Sequence, residues 1–302
     1  MSEPRSPLRR GLPTGKQTRL YRLLYGHGLG NGTAMFLPYD QGLEHGPRDF
    51  FANPPAADPA YIVRLAVEGR FNGVALQVGN AEKFYGDHAG QVPLILKLNG
   101  RTELPPGDAP FSPLNASVRD AVRLGADAVG YTLYVGSSRQ AEDFAQFRTV
   151  REDAESYGMP IIVWAYPRGS AVHNAGGQDS FYAIDYAART AAELGADIVK
   201  VNFPDPTVTQ GVKAPYDRLF TTEQAVAAVV ASAGRALVVF SGGMKVDDET
   251  VLSRTREAMN AGAVGVIYGR NVWQRDHDES LRFAAQLRSI LARYPAASAE
   301  PT

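Results

Sequence analysis

A lysine lies within an apolar stretch of the sequence, where a charged side chain is unexpected. Lys200 stands in the run IVKVN at 198–202, and such a β-branched run is typical of a buried strand in a parallel sheet. Burial disfavours the ammonium form and shifts the amine towards neutrality, and a neutral amine attacks carbonyls to give a Schiff base. Lys200 is therefore a candidate nucleophile. The alternative is a lysine that reaches water from the end of its strand.

A second lysine has similar surroundings. Lys97 stands in LILKLNG at 94–100, and the pattern alone does not decide which of the two amines reacts. Because a nearby ammonium group disfavours a second positive charge, Lys97 would also lower the pKa of Lys200. We therefore interpret Lys97 either as a rival nucleophile or as a helper within the substrate site.

Two short glycine-bearing turns follow the last two apolar runs. Their candidate phosphate-binding residues are Ser241, Gly242, Gly243, Lys245, Gly269 and Arg270. Glycine N–H groups can approach an anion closely because no Cβ intervenes, and Arg270 can bind it through two hydrogen bonds. The pair of turns predicts a phosphate site, whereas either turn alone would indicate only a chain reversal.

The segment WAYPRG at 164–169 carries two aromatic side chains on one face of a predicted strand, Trp164 and Tyr166. A tyrosine beside a lysine can move protons, because a nearby ammonium group favours the phenolate. The alternative is that both rings only fill the protein interior. Arg168 and Asn202 end their respective strands and are candidate substrate-binding residues.

The segment DQGLEHG at 40–46 offers Asp40, Glu44 and His45 on one loop. With five histidines, no cysteine and no HxH or HExxH pair, the sequence disfavours a metal site. Asp40 and His45 are better suited to hydrogen-bond a polyhydroxylated substrate, and the alternative is a turn that Asp40 stabilises. We expect no metal ion and no cofactor.

Composition limits the possible partners. The chain has 302 residues, 44% of them hydrophobic, with a formal net charge of −1, so we expect no broad attraction to nucleic acid or to an anionic membrane. No apolar run approaches the roughly 18 residues that a membrane span needs, and the first twenty residues lack the apolar core of a secretory signal. The absence of cysteine is compatible with a cytoplasmic location.

Eight apolar runs alternate with amphipathic stretches. They lie at 27–40, 73–78, 93–99, 127–133, 160–167, 196–202, 236–243 and 263–269. Gly125 and Gly195 are predicted C-caps that turn a helix into the next strand. The pattern predicts a single-domain (β/α)8 TIM barrel at 27–293, with an N-terminal arm at 1–26 and a tail at 294–302 outside it. An open doubly wound sheet is the alternative, but no GxGxxG motif follows the first run.

Five motifs in order resemble the archaeal-type class I fructose-bisphosphate aldolases, a Schiff-base family also found in bacteria. They are DQGLEHGP at 40–47, WAYPRG at 164–169, the lysine in IVKVNFP at 198–204, SGGMK at 241–245 and YGRNVWQ at 268–274. The resemblance runs from about Tyr25 to Trp273. It is also shared with related enzymes that make an aminodideoxyheptulosonate precursor of aromatic amino acids.

The resemblance implies metal-independent, reversible cleavage of fructose 1,6-bisphosphate to dihydroxyacetone phosphate and glyceraldehyde 3-phosphate, in glycolysis or gluconeogenesis. Lys200 resembles the Schiff-base lysine and Tyr166 the proton donor and acceptor, with Asp40 as the rival base. It implies that His45 orients the substrate, that Trp164 forms a wall of the pocket, and that the enzyme is a homo-oligomer, often a decamer.

Two points stay open in the sequence. The activity could be that of a related Schiff-base aldolase or transaldolase acting on another phosphorylated ketose or deoxysugar. The stretch at 204–220 is longer than the family pattern leads us to expect for a compact loop, and we predict that it acts as a lid over a second phosphate.

Overall fold

The computed structural model describes residues 11–296, which form a closed barrel of eight parallel strands. The strands are β1 (Ala34–Pro38), β2 (Gly73–Gln77), β3 (Leu94–Lys97), β4 (Ala128–Val135), β5 (Ile161–Pro167), β6 (Ile198–Asn202), β7 (Leu237–Ser241) and β8 (Gly265–Ile267). Each pairs with the next in the sequence, and β8 pairs with β1 to close the ring. The predicted (β/α)8 barrel is confirmed, and each apolar run contributes one strand.

Helices surround the barrel. They are α1 (Thr14–Tyr21), α2 (Gln41–His45), α3 (Pro59–Glu68), α4 (Val78–Phe84), α5 (Val118–Arg123), α6 (Gln140–Ser156), α7 (Ser170–His173), α8 (Phe181–Leu194), α9 (Thr222–Ser232), α10 (Asp248–Asn260), α11 (Arg270–Trp273) and α12 (His277–Leu291). A π-helix spans Arg22–Gly26, and 3-10 helices span Gly46–Ala52, Pro54–Ala57 and Gly86–His88. Within the described residues, no helix is both long and apolar enough to cross a membrane.

Local sequence signals explain where several helices begin and end. Asp247 accepts a hydrogen bond from the Thr250 N–H at the start of α10, which satisfies one free donor of the first turn. Gly195 ends α8 with φ +107°, and Gly125 follows α5 with φ +70°. A side chain at such positive φ is strained, so both glycines act as the predicted stops before β6 and β4.

The segment 14–26 closes the amino-terminal end of the barrel. Leu20, Leu23 and Leu24 are buried in the same cluster as the first residues of several strands, including Ala34 and Ile198. This segment belongs to the predicted N-terminal arm at 1–26, and its helix α1 was not predicted from the sequence.

Two ion pairs anchor that segment to the barrel. Lys16 Nζ lies 3.0 Å from Asp197 Oδ2, just before β6, and Arg22 Nη2 lies 2.5 Å from Asp127 Oδ1, just before β4. The arm and tail boundaries stay predictions, and residues 1–10 and 297–302 of the predicted arm and tail lie outside the described residues.

One glycine of the barrel wall makes room for the side chains of the site. A Cβ on Gly130, in β4, would lie 2.7 Å from the Trp164 ring and 3.0 Å from Lys97 Cδ. Since Trp164 and Lys97 are both 2% exposed and both would have to shift, Gly130→Ala is expected to lower the free energy of unfolding by about 1–3 kcal/mol. The denaturant midpoint measures this change.

Gly79→Ala in α4 is the matched control. A Cβ there meets nothing within 4 Å, so it should leave stability unchanged or raise it by up to about 1 kcal/mol. Equal midpoints for the two variants would contradict the packing described for Gly130.

Candidate active site

A cavity of about 110 Å³ opens at the carboxyl-terminal ends of the strands. The predicted site residues that line it are Asp40, His45, Trp164, Tyr166, Arg168, Lys200, Asn202, Ser241, Gly242, Gly243, Gly269 and Arg270. Pro38, Gln41, Glu44 and Ile267 complete the lining. Every strand of a parallel barrel presents its carboxyl end at the same face, which is why residues far apart in sequence meet here.

Lys200 projects into the barrel beside Tyr166. It is aligned with Trp164 on the neighbouring strand and is only 5% exposed. Its Nζ donates a hydrogen bond to the Tyr166 oxygen and lies 4.1 Å from the centre of that ring. The buried amine and the half-buried phenol therefore form a close pair that lines the cavity.

Burial lowers the pKa of Lys200 to about 7. The carboxylates of Asp40 and Glu44 oppose this effect, whereas the cations Arg168 and Lys97 add to it. Loss of hydration thus outweighs the attraction of two acids. About half of the amine is then neutral at pH 7, compared with fewer than about one in a thousand for an ordinary lysine.

The pKa of the Tyr166 phenol shifts in the opposite direction, upwards. Burial, followed by the negative charges of Glu44 and Asp40, raises its pKa well above the ordinary value, and Arg168 opposes this only in part. The expectation that the neighbouring ammonium group favours the phenolate is therefore wrong for the resting site. Tyr166 is a protonated phenol there and therefore has a proton that it could donate.

Lys97 lies next to this cavity and not in it. Its Nζ donates to the Asn99 carbonyl at 2.9 Å and to Thr132 Oγ1 at 2.8 Å, and it lies 3.7 Å from Asp40 Oδ2. Burial lowers its pKa, against the attraction of Asp40. Its nitrogen is already hydrogen-bonded, and Lys97 lines a smaller neighbouring cavity that shares Asp40 with the first, so the geometry favours a helper over a rival nucleophile.

The two glycine turns form the opposite side of the cavity. Arg270 Nη2 donates to the Gly243 carbonyl at 3.1 Å, which ties the turn after β8 to the turn after β7. Ser241 Oγ donates to Asn202 Oδ1 at 2.6 Å. A Cβ on Gly242 would collide with Asn271 Nδ2, so position 242 of this turn has no room for a side chain. The predicted phosphate-binding turns thus lie together.

Lys245 is the predicted phosphate-binding residue that does not line the cavity. Its side chain is exposed, and its Nζ donates to the Gln274 carbonyl at 2.8 Å. The amine is therefore bound to the backbone of the turn after β8 and does not face the cavity lining. Its role in phosphate binding stays a prediction.

Sequence reasoning missed Asp49, which connects two predicted site residues. Its Oδ2 lies 2.7 Å from His45 Nδ1 and 3.6 Å from Arg270 Nη1. The only available signal was an acid one helical turn after His45, which is too common a spacing to single out. Gln41 was also missed, although its position between Asp40 and His45 placed it on the same loop.

A larger cavity of about 600 Å³ adjoins the first at Arg168. Val208, from the stretch 204–220, lies in its lining. The same stretch packs on α8, where Tyr216 donates a hydrogen bond to Asp185 at 2.5 Å. Its action as a lid stays a prediction. Within residues 11–296, no group of three or more His, Asp or Glu side chains has the arrangement of a metal site.

Comparison with known proteins assigns the chain to a family. Residues 34–275 match the model of the DeoC/LacD family aldolase, which spans the whole barrel. The chain belongs to the DeoC/LacD aldolase family. It is 43% identical over 263 residues to the class 1 fructose-bisphosphate aldolase of Thermoproteus tenax, an alignment that covers 86% of this chain and 90% of the relative. With the class 1 fructose-bisphosphate aldolase of Halobacterium salinarum it is 41% identical, over 82% of this chain and 86% of the relative.

Solved structures of this family agree with the fold. An archaeal fructose-1,6-bisphosphate aldolase, whose catalytic lysine is covalently bound to the carbinolamine intermediate of the substrate, matches with a TM-score of 0.77 and 40% identity. That match covers 90% of this chain and 99% of the other. A fructose-bisphosphate aldolase from Slackia heliotrinireducens matches with a TM-score of 0.82 and 28% identity, over 95% and 90%.

The lowered pKa of Lys200 predicts a pH dependence for its reaction with carbonyl compounds. Only the neutral amine attacks, so the initial rate of imine formation should rise through about pH 7 and level off above it. Because Glu44 raises this pKa, Glu44→Gln should move the midpoint to lower pH. Borohydride quenching at short times, followed by mass spectrometry, measures the rate. A midpoint near the ordinary lysine value would contradict the burial effect.

Proposed function

We propose that this chain is a class I fructose-bisphosphate aldolase, which cleaves fructose 1,6-bisphosphate reversibly without a metal ion. The observation that supports this best is the buried Lys200 amine, with its pKa lowered to about 7 and its nitrogen against the Tyr166 phenol. Two relatives at 41–43% identity are named class 1 fructose-bisphosphate aldolases, which supports fructose 1,6-bisphosphate as the substrate.

The first step is covalent. The neutral Lys200 amine attacks the ketone carbon of the sugar and forms a carbinolamine, which loses its hydroxyl group as water and becomes an iminium ion. The proton for this water comes from Tyr166, which is a protonated phenol in the resting site. Tyr166 is left as a phenolate beside the iminium cation, whose positive charge stabilises it.

Carbon–carbon cleavage follows from this charge distribution. The phenolate removes the proton of the hydroxyl on the fourth carbon, the bond between the third and fourth carbons breaks, and its electron pair moves into the iminium. An enamine forms and glyceraldehyde 3-phosphate leaves. Protonation of the enamine and hydrolysis then release dihydroxyacetone phosphate and the free lysine. Asp40 is the rival base, since it lines the same cavity.

Substrate orientation is assigned to the remaining lining residues. The backbone N–H groups of Gly242 and Gly243, together with the Arg270 guanidinium, bind the phosphate nearest the imine. Ser241 and Gly269 belong to the same proposed phosphate-binding site, and Lys245, which does not line the cavity, is a proposed outer member of it. His45 and Asn202 bind hydroxyl groups. Arg168 lies between the two cavities and faces the other end of the sugar.

A second activity has specific support. A relative from Methanocaldococcus jannaschii, 33% identical over 269 residues, is named fructose-bisphosphate aldolase/6-deoxy-5-ketofructose 1-phosphate synthase. The same lysine chemistry would serve a related aldolase or transaldolase on another phosphorylated ketose or deoxysugar. Comparing the turnover of fructose 1,6-bisphosphate with that of 6-deoxy-5-ketofructose 1-phosphate, under identical conditions, separates the two activities.

The cellular setting belongs to the same proposal. An enzyme with this substrate serves glycolysis or gluconeogenesis in the cytoplasm. A homo-oligomer, such as a decamer, follows from the resemblance to the family, and light scattering of the purified protein tests it.

The decisive experiment traps the imine. Incubation with dihydroxyacetone phosphate and borohydride should attach one reduced triose phosphate to Lys200, which peptide mass spectrometry locates. Lys200→Met should abolish the adduct, because no other lysine lines the described cavity.

Lys97→Met is the matched control, since it also removes a buried strand lysine. It should still form the adduct. An adduct that persists in Lys200→Met and disappears in Lys97→Met would transfer the nucleophile to Lys97.

Removal of the Tyr166 hydroxyl separates imine formation from cleavage. Tyr166→Phe keeps the ring but loses the proton carrier, so the imine should form more slowly, with water as the proton source, yet the adduct should still accumulate on long incubation while turnover falls by roughly a hundredfold or more. Steady-state kinetics and borohydride trapping of the same preparation measure both. Unchanged turnover would leave Tyr166 with a packing role and favour Asp40 as the base.

A further inference from the structure

One carboxylate joins two arms of the active site without entering it. The Asp49 side chain is 11% exposed, and those of its partners His45 and Arg270 are 18% exposed. Both partners line the cavity, and Asp49 does not. Any effect of Asp49 on a bound ligand therefore acts through the imidazole and the guanidinium.

The contact with His45 fixes the orientation of the ring. Asp49 Oδ2 lies 2.7 Å from Nδ1, and a carboxylate only accepts, so Nδ1 carries the proton. The nitrogen left for a ligand is Nε2, which in the neutral ring accepts a hydrogen bond. A sugar hydroxyl is a suitable donor. Without Asp49, the ring could turn or exchange tautomers.

The contact with Arg270 holds the guanidinium at a second point. Nη2 is bonded to the Gly243 carbonyl, and Nη1 lies 3.6 Å from Asp49 Oδ2, which is an ion pair and longer than a hydrogen bond. These two contacts, at different nitrogens, fix the plane of the Arg270 guanidinium group. A fixed plane favours two parallel hydrogen bonds to a phosphate.

Asp49 is itself held in place by the turn after β8. Its backbone carbonyl accepts a hydrogen bond from Gln274 Nε2 at 2.7 Å, and the Gln274 carbonyl accepts one from Lys245 Nζ. The loop after β1 and the turns after β7 and β8 are therefore connected through Asp49 and Gln274. A displacement of one would be transmitted to the others.

We propose that Asp49 is a positioning residue that sets His45 and Arg270 as one unit for binding the phosphate end of the substrate. For the sugar phosphate this rests on the proposed function, whereas binding of the phosphate anion does not. The negative charge of Asp49 also repels a phosphate. Orientation outweighs that repulsion, because Arg270 reaches the cavity and Asp49 lies behind it.

Three variants test the proposal. Asp49→Ala removes both contacts, and Asp49→Asn retains an oxygen for the His45 Nδ1–H but loses the charge that attracts Arg270. Glu103→Gln is the matched control, because Glu103 pairs with Arg48 on the outer surface, 2.8 Å apart, and does not line the cavity. Calorimetry with inorganic phosphate and steady-state kinetics with fructose 1,6-bisphosphate are the readouts.

Asp49→Ala should weaken phosphate binding and raise KM by about tenfold or more, while kcat changes less than KM. Asp49→Asn should recover part of the loss in KM, and Glu103→Gln should resemble the unmodified chain. In an Arg270→Ala background the effect of Asp49→Ala on phosphate binding should largely disappear, since the two changes remove one interaction.

Several results would overturn the proposal. They are an unmodified chain that does not bind phosphate, Asp49 variants whose phosphate affinity and KM stay within about twofold of the unmodified chain, and variants that lose thermal stability alone. If phosphate binding depends on Asp49 as proposed but the chain does not cleave fructose 1,6-bisphosphate, the proposed function is refuted and the role of Asp49 stands. If Asp49→Ala does not fold, Asp49→Asn, which preserves the shape of the side chain, gives the phosphate measurement.

Discussion

The loss of water around the Lys200 amine is the constraint on which the rest of the site depends. Burial lowers its pKa to about 7 although Asp40 and Glu44 both oppose the change. Only a neutral amine attacks a ketone, so the pKa of Lys200 must stay low. It must do so although the site contains carboxylates, which a polyhydroxylated substrate needs as hydrogen-bonding partners. The cations Lys97 and Arg168 help to maintain it.

The same burial acts in opposite directions on the two members of the central pair. It removes the positive charge from about half of the Lys200 amine at pH 7 and keeps Tyr166 protonated, because in each case burial favours the neutral form. In that half, the resting pair is a neutral amine beside a neutral phenol. Formation of the proposed iminium would place a permanent cation there, and only then would a phenolate be favoured. The proton carrier becomes a base at the step that needs one.

The barrel supplies the burial and the geometry together. Strands β5 and β6 place Trp164 beside Lys200, and Gly130 on β4 leaves room for the indole ring. The segment 14–26 closes the other end with Leu20, Leu23 and Leu24, which excludes water from beneath the site. At the open end, the glycine turns leave backbone N–H groups accessible. Apolar packing beneath the site favours the neutral amine that imine formation requires. The glycine turns at the open end offer the backbone N–H groups that the proposed phosphate site requires.

Much of the fold followed from the sequence, because strand pattern, helix caps and glycine turns are local properties. The eight strands, the stops at Gly125 and Gly195, the family and the group around Lys200 and Tyr166 were all predicted. Only the tertiary structure decided that Lys200 lines the cavity and Lys97 and Lys245 do not, that Tyr166 keeps its proton, and that Asp49 joins His45 to Arg270. These depend on distances between segments far apart in the chain, and on how completely packing removes water, which no local pattern encodes.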